Sequence, residues 1–82
     1  MLVVTRKPAE TVLICSIDCG KLKLVGVIAI VESRNQRVRF GMNFPPEWKI
    51  YRTEITNFSD LKYEQILNLP IGTEVTVKER QH

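Results

Sequence analysis

Short runs rich in Val and Ile, each cut off by residues that turn the backbone, fill positions 2–52, and this punctuated pattern limits the fold more than any other feature. Branching at Cβ favours extended backbone, and runs this short, bounded by Gly, Pro, Asn or Asp, read as strands of a mainly β domain. The predicted strands are 2–6, 11–15, 21–31, 37–43 and 48–52. Asp18, Cys19 and Gly20 turn the second strand into the third, and residues 32–36 turn the third into the fourth. In the fourth, Val38, Phe40 and Met42 alternate with Arg37, Arg39 and Asn43, which predicts a half-buried strand with a solvated basic face. Pro45 and Pro46 have no backbone N–H to give a ladder, so 44–47 is expected to be a loop or a sheet edge.

Beyond residue 56 the periodicity changes. Ser59 suits an N-cap, Asp60 suits the positive end of a helix dipole, and Tyr63, Ile66 and Leu67 fall at helical spacing. Pro70 and Gly72 are expected to stop this short helix. Val75 and Val77 then alternate with Glu74, Thr76 and Lys78, predicting an additional strand over 73–80. The expected organisation is a β domain at 1–56 and a helix-and-strand extension at 57–82, both in one compact unit.

A chain of 82 residues buries a modest share of its surface when folded alone, and small domains commonly make up the difference with staples or by oligomerising. Cys15, Cys19 and His82 do not supply a disulfide framework or a zinc set, and the spacing of the two cysteines is not C-x-x-C. Cys15 is expected to end a strand and Cys19 to sit in the following turn, both as free thiols, with no metal and no cofactor. The chain shows no export leader, and its longest apolar run, 24–31, is far short of the roughly 20 residues of a membrane-spanning helix. A cytoplasmic location without a membrane partner is therefore expected.

Charge adds a direction. Residues 1–56 carry nine Lys or Arg against five Asp or Glu, whereas residues 57–82 carry three against four. A homodimer doubles the basic part, and such a surface attracts phosphate backbones. Catalysis is not expected, because there is no internal histidine, no Gly-rich phosphate loop and no pair of carboxylates on one strand face.

Five segments occur in a telling order: Met-Leu-Val-Val-Thr-Arg-Lys at 1–7, Ala-Glu-Thr at 9–11, Arg-Val-Arg-Phe-Gly-Met at 37–42, Asn-Phe-Pro at 43–45 and Ile-Tyr-Arg-Thr-Glu-Ile at 50–55. Together they resemble the carbon storage regulator (CsrA/RsmA) family of bacterial translational regulators, over roughly residues 1–56. The resemblance implies an interlocked homodimer of five-stranded protomers, in which the first and fifth strands pair with strands of the partner and each RNA groove is shared between copies. It further implies an RNA-binding post-transcriptional regulator that reads GGA in single-stranded or hairpin-loop sites of mRNA leaders and controls translation or mRNA stability. Some members are titrated by sequestering small RNAs or by a protein antagonist.

Carried over by position, the RNA-binding residues implied are Val4, Thr5, Arg6 and Lys7 of the first strand, Phe44 and Pro45 of the loop, and Ile50, Tyr51 and Arg52 of the fifth strand. Unpaired bases present their edges to an open strand while arginine contacts phosphate and stacks, so the chemistry suits the residues. Read without the resemblance, Arg6 and Lys7 are charged guards of an edge strand, Arg52 is a surface ion-pair partner of Glu47 or Glu54, and Trp48 and Tyr51 are core or interface aromatics. The chain departs from the family at Ala9, where Gly is usual, at Phe44, where a small residue is usual, at Pro46, and at Tyr51, where His is common. These departures leave a second reading: a dimeric protein-interaction module on the same scaffold, with lost or altered RNA specificity.

Overall fold

The computed structural model describes residues 2–6, 10–31 and 37–78, with residues 2 and 6 described by backbone alone. Among the described residues, six strands form two antiparallel sheets. Strands β1 (Leu2–Arg6) and β4 (Val38–Met42) make a two-stranded ribbon, in register from Leu2 opposite Met42 to Arg6 opposite Val38. Strands β2 (Thr11–Asp18), β3 (Lys21–Ala29), β5 (Trp48–Arg52) and β6 (Glu74–Val75) make a second sheet in the order β5-β2-β3-β6. A 3-10 turn (Thr53–Ile55) and a five-residue helix α1 (Tyr63–Leu67) complete the elements.

Strand β2 is the spine of the molecule. Residues Thr11 to Cys15 are buried in succession, which in an alternating strand means that both faces are covered. On one face Val12 packs with Val4 and Met42 of the ribbon, flanked by Ile28, Phe40, Phe44 and Ile50. On the other, Leu13 and Cys15 pack with Leu24, Ile66 and Val75, flanked by Tyr51, Phe58 and Leu69 among others. The ribbon therefore covers one side of the four-stranded sheet and the C-terminal segment covers the other.

The β2–β3 connection is a turn of two residues, Cys19 and Gly20, shorter than the expected Asp18-Cys19-Gly20 because Asp18 stays in the ladder. Asp18 pairs with Lys21, and Cys19 and Gly20 both have positive φ, 52° and 77°. Two left-handed residues match the right-handed twist of the flanking strands, so the hairpin closes without splaying. Strand β2 runs on to Asp18, past its expected end at Cys15, because the partner residues 21–24 keep the ladder going. A shift in register between Ile14 and Cys15 leaves Val25 as an extra residue on β3, a bulge of the kind that bends a strand.

In β4 the expected alternation holds: Val38, Phe40 and Met42 turn inward while Arg39 is exposed. The helix cap and the last strand differ from expectation. Ser59 does not cap the helix; residues 58–61 curl into turns organised by the buried Thr56, whose hydroxyl donates to the Thr53 carbonyl and accepts from the Phe58 N–H. The N-cap is Lys62, whose N–H donates to the Gln65 side chain at 2.9 Å. The helix ends at Leu67, ahead of Pro70, since a proline disfavours helical backbone in the residue before it.

The last strand is two residues long instead of the expected 73–80, because the segment divides its pairing. Glu74 and Val75 pair with Lys23 and Leu22 of β3, and Val77 then bridges to Thr56. The expected turn at 32–36 and residue Arg80 lie outside the described residues. No helix of the described residues is long and apolar enough to cross a membrane.

Candidate nucleic-acid interface

Strand β5 is an edge strand that pairs on one side with β2, from Val12 opposite Arg52 to Ser16 opposite Trp48. Strand β1 is likewise paired on one side, with β4. Among the described strands, none occupies the other edge of either. An unpaired edge offers N–H and C=O groups to an incoming chain or ligand.

A groove of about 340 Å³ lies between these two strands. Val3 and Val4 line one wall, Ile50, Tyr51 and Arg52 the other, and Glu54 and Ile55 close one end. Four of the candidate residues thus meet in one place: Val4, Ile50, Tyr51 and Arg52. Their burial separates their roles. Val4 is buried, Ile50 and Tyr51 are half-buried, and Arg52 is exposed, so an apolar floor carries a solvent-accessible cation on its rim. Tyr51 also packs against the Leu13 cluster on the helix side of the sheet, so it belongs both to that core and to the groove lining.

A second groove of about 220 Å³ adjoins the first through Ile50, which lines both. Phe44, Pro45 and Pro46 form its loop side, with Met42, Asn43, Trp48 and Lys49 completing it. The Trp48 N–H donates to the Pro45 carbonyl at 2.9 Å, closing a four-residue turn with Pro46 at its second position. Proline is preset for that position and needs no donor there, so Pro46 fits this loop without loss of a ladder bond. The rings of Phe44 and Trp48 stack at 5.5 Å between centroids and 25° between planes.

The remaining candidates fall elsewhere. Thr5, opposite Arg39, lines neither groove. Arg6 is placed by its backbone at the end of β1, opposite Val38, and Lys7 lies outside the described residues, as does Ala9.

The resemblance implied that β1 and β5 pair with strands of a second copy; here β1 pairs with β4 and β5 with β2 of the same chain, and both walls of the larger groove come from one chain. Both pairings are antiparallel. Among the described residues, none beyond Ile55 lines either groove.

Two residues that position the site had no assigned role in the sequence reading, although both stand in its motifs. Thr11 and Thr53 are buried, their hydroxyls hydrogen-bond to each other, and the Thr53 hydroxyl reaches the Thr11 carbonyl at 3.1 Å. This cross-link fixes the backbone directly after Arg52. The signal was available as two polar residues at the ends of apolar strands, but nothing in a sequence says that such residues face each other.

The sequence model of the global regulator protein family CsrA matches residues 1–59, which include all five strands up to Arg52 and the 3-10 turn after them. No curated protein and no solved structure matches the chain.

Proposed function

The chain belongs to the global regulator protein family CsrA, whose members are RNA-binding post-transcriptional regulators without enzymatic activity, and on that premise we propose that it binds GGA-containing single-stranded or hairpin-loop sites in mRNA leaders. Binding there controls translation or message stability from within the cytoplasm. The observation that carries this reading is the convergence of two unpaired strand edges, an apolar floor and the Arg52 guanidinium on one groove. Bases splayed from a loop lay their edges against the open backbone, and Arg52 meets the phosphate beside them. Val4, Ile50 and Tyr51 shape the floor, Phe44 and Pro45 the loop side, and Thr5, Arg6 and Lys7 extend the contact along β1.

The working form is a homodimer that presents two such grooves, with sequestering small RNAs and a protein antagonist as the further partners that regulate it. The 1–56 domain carries the RNA contacts, and the 57–82 extension stays with it as one unit.

Filter binding with a hairpin RNA whose loop carries GGA, set against the same hairpin with that triplet replaced by CCU, tests the reading. We expect the replacement to weaken binding by at least tenfold. Equal affinity for the two hairpins would remove the GGA preference, and absence of binding to either would favour a protein-interaction module. Sedimentation equilibrium decides the oligomeric state: a mass of one chain at micromolar concentration would refute the homodimer.

A further inference from the structure

The smaller groove is built like a platform for one flat ring. Trp48 is half-buried and stacks on Phe44, and Phe44 is itself packed against the cluster of Val4, Val12 and Met42. The indole is thus backed by a ring that the core holds in place, so little side-chain freedom is lost when something lies on it. A volume of about 220 Å³ is below the roughly 300–1,000 Å³ typical of pockets for drug-sized molecules, and suits a single ring system. Lys49 and Asn43 line the same groove and are exposed, supplying a cation and an amide at its rim.

We propose that this Phe44–Trp48 groove is a stacking subsite for one further unpaired base of the bound RNA, next to the triplet held in the larger groove. The proposal rests on the RNA-binding reading above and extends it. Ile50 lines both grooves, so a base held in the first and a base held in the second would lie on either side of one shared residue. Aromatic faces accept any base, Lys49 attracts the adjoining phosphate, and Asn43 offers both a donor and an acceptor to the base edge. The departure of Phe44 from the small residue usual in the family then gains a role: it supports the indole.

Trp48 is the one tryptophan of the chain, so its fluorescence reports on this groove alone. The full-length protein is titrated with two RNA hairpins, one with a GGA loop and one with an unpaired adenine added on each side of the triplet, while filter binding measures occupancy independently. We expect the extended RNA to quench the emission strongly and to bind about tenfold more tightly, and an abasic residue in place of the stacked adenine to abolish both effects. Trp48→Ala is expected to erase the affinity difference between the two RNAs, and Trp48→Phe to retain most of it; thermal unfolding of both variants checks that they are folded.

Full occupancy by the extended RNA with unchanged emission and no gain in affinity would overturn the subsite and leave the RNA-binding reading intact. Failure of every RNA to bind would overturn both. Emission that changes with protein concentration before RNA is added, and not on its addition, would show that a second copy covers the groove, and would equally refute the proposal.

Discussion

The Thr53 hydroxyl donates to the Thr11 carbonyl at 3.1 Å across 42 residues of sequence, joining the end of β5 to the start of β2. The direction is set by the carbonyl, which can only accept, so the Thr11 hydroxyl donates to Thr53 in the pair the two hydroxyls make. Replacing Thr53 by Val keeps the shape and strands both Thr11 groups in a buried place. A cost of about 1–3 kcal/mol in unfolding free energy is expected, with Thr53→Ser close to wild type. Denaturant unfolding of the two variants checks this, and a Val variant as stable as the Ser variant would show the cross-link to be idle.

Arg52 stands one residue before that cross-link, exposed on the rim of the larger groove. Arg52→Ala is expected to weaken RNA binding while leaving thermal stability within about 0.5 kcal/mol, the range of an exposed substitution. If the guanidinium meets phosphate, the slope of log affinity against log salt falls by about 1. A salt titration of both proteins reads the slope directly; an unchanged slope would move Arg52 from the phosphate to another role.

The C-terminal segment should matter for stability and not for the grooves. Ile66 is buried among Leu13, Leu24 and Val75, whereas no described residue past Ile55 lines either groove. Ile66→Ala is expected to cost about 2–5 kcal/mol, with unchanged RNA affinity of the protein that remains folded. Calorimetry and filter binding below the transition temperature separate the two quantities.

Cys19 holds a left-handed conformation at φ 52° beside Gly20. Asn tolerates that region better than other side chains, and Asn-Gly is the favoured pair for this turn. Cys19→Asn is expected to raise stability by up to about 1 kcal/mol, a share of the roughly 1–2 kcal/mol that the left-handed region costs an ordinary L-residue. A lower melting temperature in this variant would contradict the turn geometry.

Burial pushes the Cys15 thiol up from 9.0 to about 11. Between those values the unfolded chain loses its thiol proton before the folded one does, so this contribution to stability is complete below pH 9 and is lost as pH rises toward 11. Cys15→Ala should therefore lose less stability than wild type between pH 8 and pH 11, even though it starts from a lower value. A native thiol-labelling time course adds a second check, with Cys19 reacting first because it is exposed and Cys15 is buried.

Strand existence was legible because strands carry their own signal. The inward alternation of Val38, Phe40 and Met42, the turn around Cys19-Gly20 and the break at Pro45-Pro46 are local patterns, and the structure has each of them, with the turn one residue shorter than expected. Pairing partners were not legible, since Leu2–Arg6 reads the same whether it meets β4 of its own chain or of another. The helix start was misplaced for a related reason: Ser59 satisfies the local rule for a cap, but Thr56 reaches back to Thr53 and draws residues 58–61 into turns first. That Val4, Ile50 and Arg52 of one chain line the same groove was not legible, because residues nearly fifty positions apart leave no mark on each other in a single sequence.

The ribbon of β1 and β4 shares no ladder with the four-stranded sheet among the described residues and leans on it through Val4, Met42 and their apolar neighbours. Amides of β2, flanked by strands on both sides and roofed on both faces, should be the last in the molecule to exchange with deuterium, and those of β1 among the first within the sheets. The larger groove takes one wall from β1 of the ribbon and the other from β5 of the four-stranded sheet. Its durability is thus set by the weaker fastening: a ligand that touches both walls clamps the ribbon down, and that clamping should appear as slowed exchange in β1 far in excess of any change in β2.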